Sequence, residues 1–303
     1  MYQASSVAEI RQYAQHWKDN AQSIAFIPTM GNLHQGHLSL IEKGQSLCDR
    51  TICSIFVNPM QFGPNEDFNH YPRTLTRDIQ QLESIGCDLV YMPTASELYP
   101  NGLHQISQIL VTDLTESYEA AHRPGHFTGV ATIVLKLFNI VKPNISVFGK
   151  KDYQQYQVIR KMVRDLDLEV DIIGQETTRE TNGLATSSRN QYLSEAETSL
   201  AALIYQTLKT TAAKILQGYV SQGGSSQCYI SQAKVSNREE HFKTLEQQAT
   251  DQLNKAGFNT DYFSICNAET LKPANPNDRK LVILVTARLG QTRLLDNIEI
   301  DLW

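Results

Sequence analysis

The feature that most constrains this chain is a regular alternation of short apolar runs and amphipathic stretches up to about residue 175. Ser23 to Pro28 (SIAFIP), Thr51 to Val57 (TICSIFV), Cys87 to Met92, Ile145 to Phe148 and Glu169 to Gly174 read as strands. Stretches from about His37 to Cys48, Leu75 to Ile85, Phe127 to Val141 and Tyr153 to Leu166 read as helices between them. A further helix is marked by Val7, Ile10, Tyr13 and Trp17, with Ser5 or Ser6 as its cap. Strand–helix alternation of this kind predicts an α/β, Rossmann-like parallel sheet with helices on both faces.

The pattern changes near residue 175, where QETTRETNGLATSSRNQYLS is polar and turn-rich. Ser194 with Glu197 makes a capping box for a helix of about Glu195 to Leu216. A Gly223–Ser226 break follows, then a polar helix of about Glu239 to Lys255 and strands at Asp261 to Asn267, Leu281 to Ala287 and Asn297 to Leu302. A chain of 303 residues favours about two domains at roughly 150 residues each. We expect residues 1–176 to form the Rossmann-like domain and 177–303 a smaller α+β domain.

Composition excludes several function classes. Lys and Arg number 27 against 32 Asp and Glu, a net charge of −5, which is not the footprint of a dedicated nucleic-acid binder. The five cysteines include no C-x-x-C pair, so reduced thiols are expected rather than a disulfide framework or zinc site. The first twenty residues carry acids and no apolar core of a signal peptide, and no run approaches the ~20 residues needed to span a bilayer. These traits predict a cytoplasmic protein with no membrane or nucleic-acid partner.

The sharpest motif is PTMGNLHQGHLSLI, residues 28 to 41, which leaves the first of these strands and opens a helix. Helix N-termini present free N–H groups and a partial positive charge, and His34 and His37 could donate to phosphoryl oxygens there. Incidental histidines at a strand–helix joint would look the same, and a metal site lacks a third ligand nearby. The position after the first strand of a βα unit favours ligand binding. Neither G-x-G-x-x-G after a strand nor G-x-x-x-x-G-K-[ST] occurs. FGKKD (148 to 152) offers Lys151 to phosphate and Asp152 to a ribose hydroxyl, and TSSRN (186 to 190) offers two hydroxyls and Arg189. FVNPMQFG (56 to 63) brings the amides of Asn58 and Gln61, and HRPGHFTGV (122 to 130) the cationic candidates Arg123 and His126.

With those segments, FVNPMQFGPNEDFNHYPRTL, RPGHFTGVATIVLKLFNIVKP, VFGKKDYQQ and SSRNQYLS in hand, the chain closely resembles the pantothenate synthetase (pantoate–β-alanine ligase) family. That family belongs to the HIGH-type nucleotidyltransferases. The resemblance runs from about residue 22 to Leu193 and resumes in 262–271 and 281–300. It implies that pantoate and ATP, with Mg²⁺, give pantoyl adenylate and pyrophosphate, and that β-alanine then releases pantothenate and AMP. It implies catalytic roles for His34, His37 and Lys151. It implies an ATP site of Met30, Gly31, Asn32, Leu33, His34, Gln35, Gly36, His37, Gly149, Lys150, Lys151, Asp152, Thr178, Thr186, Ser187, Ser188 and Arg189. It puts Gln61 and Gln155 on pantoate, with Gln61 also facing β-alanine. We add Asn58, Arg123 and His126 as substrate-binding candidates; metal ligands are not assigned. The family also implies a homodimer meeting through the N-terminal domain, with the C-terminal domain as a lid.

Asn32, Gln35, Lys150 and Thr186 depart from the family's commoner residues, and Lys150 adds positive charge beside the nucleotide. The segment from about Gly218 to Phe242 has no family counterpart and reads as a mobile, non-catalytic insertion. The alternative function is an adenylyltransferase acting on another small acid or a phosphorylated acceptor.

Overall fold

The structure is a computed structural model that describes residues 1–64, 66, 68–103, 105–221 and 232–302. Its contacts divide the chain into two units, Met1–Thr178 and Arg179–Trp303. The Gly223–Ser226 break and the centre of the expected insertion lie outside the described residues.

The first unit runs β1 (Tyr2–Ala4), α1 (Val7–Asp19), β2 (Ile24–Thr29), α2 (Gln35–Gln45), β3 (Arg50–Ile55), α3 (Leu75–Ser84) and β4 (Leu89–Tyr91). It continues with α4 (Ala95–Leu98), α5 (Glu119–His122), α6 (His126–Val141), β5 (Ile145–Gly149), α7 (Tyr153–Asp165) and β6 (Asp171–Gln175). The strands form one parallel sheet in the order β1-β4-β3-β2-β5-β6. Ser6 caps α1, in a reciprocal capping box with Glu9. β1 escaped the sequence reading because three residues at a sheet edge are too short to show a period of two.

Alternation along β2 sends its side chains to two apolar layers. Ala25 and Ile27 pack with Leu40 and Ile41 of α2 and Leu82 of α3. Phe26 points the other way and meets Phe138 of α6 edge-on at 6.4 Å, and Phe138 meets Phe148 of β5 at 6.5 Å. Both faces of the central strands are therefore covered, as the continuous apolar runs require of a buried parallel sheet. From β2 the chain steps through β3 to β4 on one side, then returns to lay β5 on the other. The reversal lies between β2 and β5, where open α/β sheets leave a crevice at their carboxyl ends.

The second unit holds α8 (Glu195–Ala201), α9 (Leu203–Ser221), α10 (Gln232–Lys255) and an antiparallel sheet of β7 (Asn259–Asn267), β8 (Lys280–Leu289) and β9 (Thr292–Asp301). Ser194 and Glu197 form the expected capping box. The single helix read from Glu195 to Leu216 is two, separated at Ala202, and α10 starts seven residues before the expected Glu239. β9 starts at Thr292 rather than Asn297 because its inward positions include Thr292 and Asp296, which hide the apolar alternation. Asp296 is buried because Arg179 binds it with two nitrogens, at 2.6 and 2.9 Å, while the guanidinium lies 3.5 Å over the Tyr205 ring. No helix among the described residues is long and apolar enough to cross a membrane.

Removing one partner of a buried ion pair strands the other charge away from water. Asp296→Ala is expected to destabilise the second unit by about 3 kcal/mol, read from urea unfolding. An unchanged midpoint and slope would show that the pair contributes nothing.

Candidate active site

The loop that leaves β2 sits at the strand-order reversal, and its conformation departs from ordinary backbone at two successive residues. Gly31 and Asn32 both have left-handed φ, 81° and 50°. Their turn directs the N–H groups of Asn32 and Leu33 onto the carboxylate of Asp78, each at 2.9 Å. The chain then enters α2 at His34, whose extended backbone makes it the N-cap. Its Nδ1 accepts the Gly36 N–H at 3.2 Å, so the neutral ring carries its proton on Nε2.

The helix therefore begins two residues earlier than the sequence suggested, and His37 lies within its first turn. The two imidazole centroids lie 4.1 Å apart with the rings tilted by 37°. Burial holds the His34 pKa down to about 4, aided by Lys151. His37 is held to about 3 by burial, then by His34 and Lys151, and its Nδ1 is buried without a partner among the described residues. Both rings are neutral at pH 7, so they act as hydrogen-bonding groups and carry no charge of their own. Lys151, at the carboxyl end of β5, is the positive charge beside them.

Other parts of the predicted ATP site are placed around this turn. Thr178 bonds Ser39 of α2 at 3.1 Å, and Ser39 in turn donates to the Gly36 carbonyl. Gly149 ends β5, Asp152 is exposed at the start of α7, and Gln35 is exposed on α2. Leu33 is buried in the core. The backbone donors of Asn32 and Leu33 face Asp78 and not the crevice. Lys150 pairs with Glu176 at 2.7 Å, which offsets the positive charge expected beside the nucleotide.

The amide cluster lies on a single turn of 3₁₀ helix, Pro59–Gln61, capped by Asn58. Asn58 was expected to contact substrate, but it is 1 % exposed and all four of its amide positions are engaged. Its Nδ2 donates to the Gly129 carbonyl and to Gln61 Oε1, and its Oδ1 accepts from Tyr99 and from the Met60 N–H. Asn58 builds the turn that presents Gln61. The Gln61 side chain reaches the Met30 thioether at 2.9 Å, which joins this turn to the β2 loop. Gly129 of α6 makes the approach possible: a Cβ there would lie 2.3 Å from the Met60 carbonyl oxygen.

Arg123 and His126 also differ from expectation. Arg123 is held by both oxygens of Glu66, at 2.7 Å each, and Glu66 stays below the usual carboxylate range because this pairing outweighs its burial. His126 Nδ1–H donates to the Gln61 carbonyl at 2.8 Å, leaving Nε2 to accept from Arg123 at 3.1 Å. Burial and then Arg123 hold its pKa at about 4, so it is neutral. Both residues act on the Gln61 turn, and together with Glu66 they bring no net charge. Gln155, by contrast, is half-buried in the first turn of α7 with no side-chain hydrogen bond among the described residues.

The remaining predicted residues belong to the second unit. Thr186 donates to Glu180 at 3.4 Å, and Ser187 caps the 3₁₀ turn Ser188–Tyr192. Arg189 is exposed, and its guanidinium has no partner among the described residues. No group of three or more His, Cys, Asp or Glu able to hold a metal occurs among the described residues. Asp78, Glu66, Tyr99 and Gly129 were missed by sequence reasoning. Asp78 alone left a trace there, as an acid in the first turn of a helix.

Two outcomes follow from this geometry. The unfolded chain takes up protons on histidine near pH 6.5, while folded His34, His37 and His126 resist protonation until about 3 to 4. Stability is thus full above about pH 6.5 and lost as pH falls towards 4. Urea midpoints at pH 7.5 and 5.0 check this, and an equal or higher value at 5.0 would contradict it. Gly129→Ala forces a backbone shift and is expected to cost ~1–3 kcal/mol, measurable as a lowered Tm; an unchanged Tm would contradict the close approach.

The family model described as pantoate-beta-alanine ligase matches residues 3–299. A pantothenate synthetase of Marinobacter nauticus is 46% identical over 97% of this chain and 98% of its own length. That of Idiomarina loihiensis is 47% identical over 97% of this chain and 96% of its own. The crystal structure of pantothenate synthetase from Thermus thermophilus matches with TM-score 0.83 and 38% identity, over 98% of this chain and 99% of that one. The pantoate-beta-alanine ligase from Francisella tularensis, in complex with beta-gamma ATP and beta-alanine, matches with TM-score 0.75 and 32% identity, over 98% and 97%. The chain belongs to the pantoate–β-alanine ligase family.

Proposed function

We propose that this chain condenses (R)-pantoate with β-alanine through pantoyl adenylate, consuming ATP and releasing pyrophosphate and AMP. The observation that carries the reading is the neutral His34–His37 pair beside Lys151 at the strand-order reversal, joined through Met30 to the Gln61 turn. A pantoate carboxylate is already ionised at neutral pH, so adenylation needs no general base. Its oxygen attacks the α-phosphorus as the bond to pyrophosphate breaks, and the requirement is alignment with stabilisation of the developing charge.

A neutral His34 offers its Nε2–H to a phosphoryl oxygen, and His37 a second imidazole, without adding a cation that would have to be desolvated. Lys151 supplies the positive charge. Gln61 and Gln155 present amides to the hydroxyls and carboxylate of pantoate, and Gln61 also faces β-alanine. In the second step the amine attacks the acyl carbon, the bond to AMP breaks, and the amine loses a proton. Ser187, Ser188 and Arg189 have the chemistry to hold phosphate oxygens, and Thr178, Gly149 and Asp152 are assigned to the nucleoside.

Mg²⁺ would enter with ATP and would offset charge on its phosphates. No residue of this chain is assigned to it; the described residues hold no group of three or more His, Cys, Asp or Glu able to hold a metal. The free thiols of Cys48, Cys53, Cys87 and Cys266 fit a reducing cytoplasm. A homodimer rests on the family resemblance alone.

ATP–pyrophosphate exchange tests the first step. Exchange that requires pantoate is expected; exchange indifferent to pantoate would favour an adenylyltransferase for another acceptor. His37→Ala is expected to lower turnover roughly 100-fold or more with the fold intact. A rate near that of the unaltered enzyme would remove His37 from the chemistry.

A further inference from the structure

We infer that Asp78, which makes no hydrogen bond to either imidazole among the described residues, is a positioning residue for adenylation. It holds the Gly31–Leu33 turn and, through that turn, sets His34 and His37. The inference rests on the proposed function and extends it to a residue on another helix.

Three independent observations meet on this carboxylate. First, Gly31 and Asn32 are left-handed in succession, and a non-glycine residue rarely adopts that conformation without local support. Successive N–H groups in such a turn converge into a concavity that takes an anion. Second, the anion here is part of the protein: Oδ2 of Asp78 receives the Asn32 N–H and Oδ1 the Leu33 N–H. Thr74 also donates to Oδ1, at 3.0 Å, and Asp78 is 1 % exposed. Third, the turn is moulded onto it, since a Cβ on Gly31 would lie 3.0 Å from Asp78 Oδ2 and 3.0 Å from Ile55 Cγ2.

The residue that follows Leu33 is His34, the cap of α2, and His37 is one turn further on. A shift of the Asn32–Leu33 backbone is therefore a shift of both rings. Two carboxylate oxygens answering two N–H groups fix the turn in both position and orientation. An amide in the same place has one accepting oxygen and one NH₂, which would face a backbone donor. Asp78→Asn keeps the volume and removes that match.

The test compares the unaltered enzyme with Asp78→Asn and Thr74→Val, the latter leaving both N–H contacts in place. We expect Asp78→Asn to lower the maximal rate of pantoate-dependent ATP–pyrophosphate exchange 10-fold or more, with KM for β-alanine in the full reaction changed less than 2-fold. Thr74→Val should fall 2- to 5-fold in the same sense. The imidazole ¹H–¹⁵N resonances of His34 and His37 should move in both variants, while those of His16, exposed on α1, stay fixed. A folded Asp78→Asn enzyme with a lowered Tm, an exchange rate within 2-fold and unmoved resonances would overturn the inference. Should Asp78→Asn fail to fold, Thr74→Val decides: a normal rate with unmoved resonances overturns the inference, and a reduced rate with moved resonances supports it. Absence of pantoate-dependent exchange in the unaltered enzyme would sink the functional reading, and the resonances would still report whether Asp78 holds the turn.

Discussion

Two backbone N–H groups ending on one buried carboxylate shape the rest of the first unit's site. Asp78 turns the donors of Asn32 and Leu33 inward, so the loop after β2 does not greet a ligand with a row of free N–H groups. What the start of α2 offers instead is side-chain chemistry: the Nε2–H of His34, the buried ring of His37 and the neighbouring charge of Lys151. The site differs in this from glycine-rich phosphate loops, in which the backbone itself makes the cradle.

The same demand that buried polar groups be matched separates builders from available groups around Gln61. Asn58, Tyr99, His126, Arg123 and Glu66 are linked by hydrogen bonds, and each ends on a partner within the protein. Such a network fixes Gln61 because leaving any member unmatched in a low-dielectric interior is costly. Gln61 itself is anchored by its backbone carbonyl to His126 and by its amide to Met30 and Asn58. Gln155 and Arg189 stand apart from this network, with side chains that answer no internal partner among the described residues.

Much of the fold was legible in local pattern. Apolar runs such as SIAFIP and TICSIFV and capping pairs such as Ser194 with Glu197 act within a few residues, so they survive as sequence signals. The three-residue β1 and the polar start of β9 left too little periodicity to read. At the site, the His34–His37 spacing was visible, yet their ionisation was not, because it follows from burial and from Lys151. Asn58, Arg123 and His126 looked like ligand groups because their chemistry suits an acid. Their partners, Tyr99, Glu66 and the Gln61 carbonyl, come from 41, 57 and 65 positions away.

The sequence by itself determined the alternation of strands and helices, the parallel α/β sheet followed by a smaller α+β unit, and the family of the chain. These rest on periodicity, caps and motifs, all of which are local or additive along the chain. Tertiary structure alone decided which polar groups are neutral, which are engaged and which remain to meet a ligand. A carboxylate in the first turn of α3 reads as an ordinary helix-start acid until the sheet brings it beneath the turn after β2. Charge state and hydrogen-bond partnership are properties of an environment, and the environment of Asp78, His37 and Asn58 is assembled only when distant segments pack.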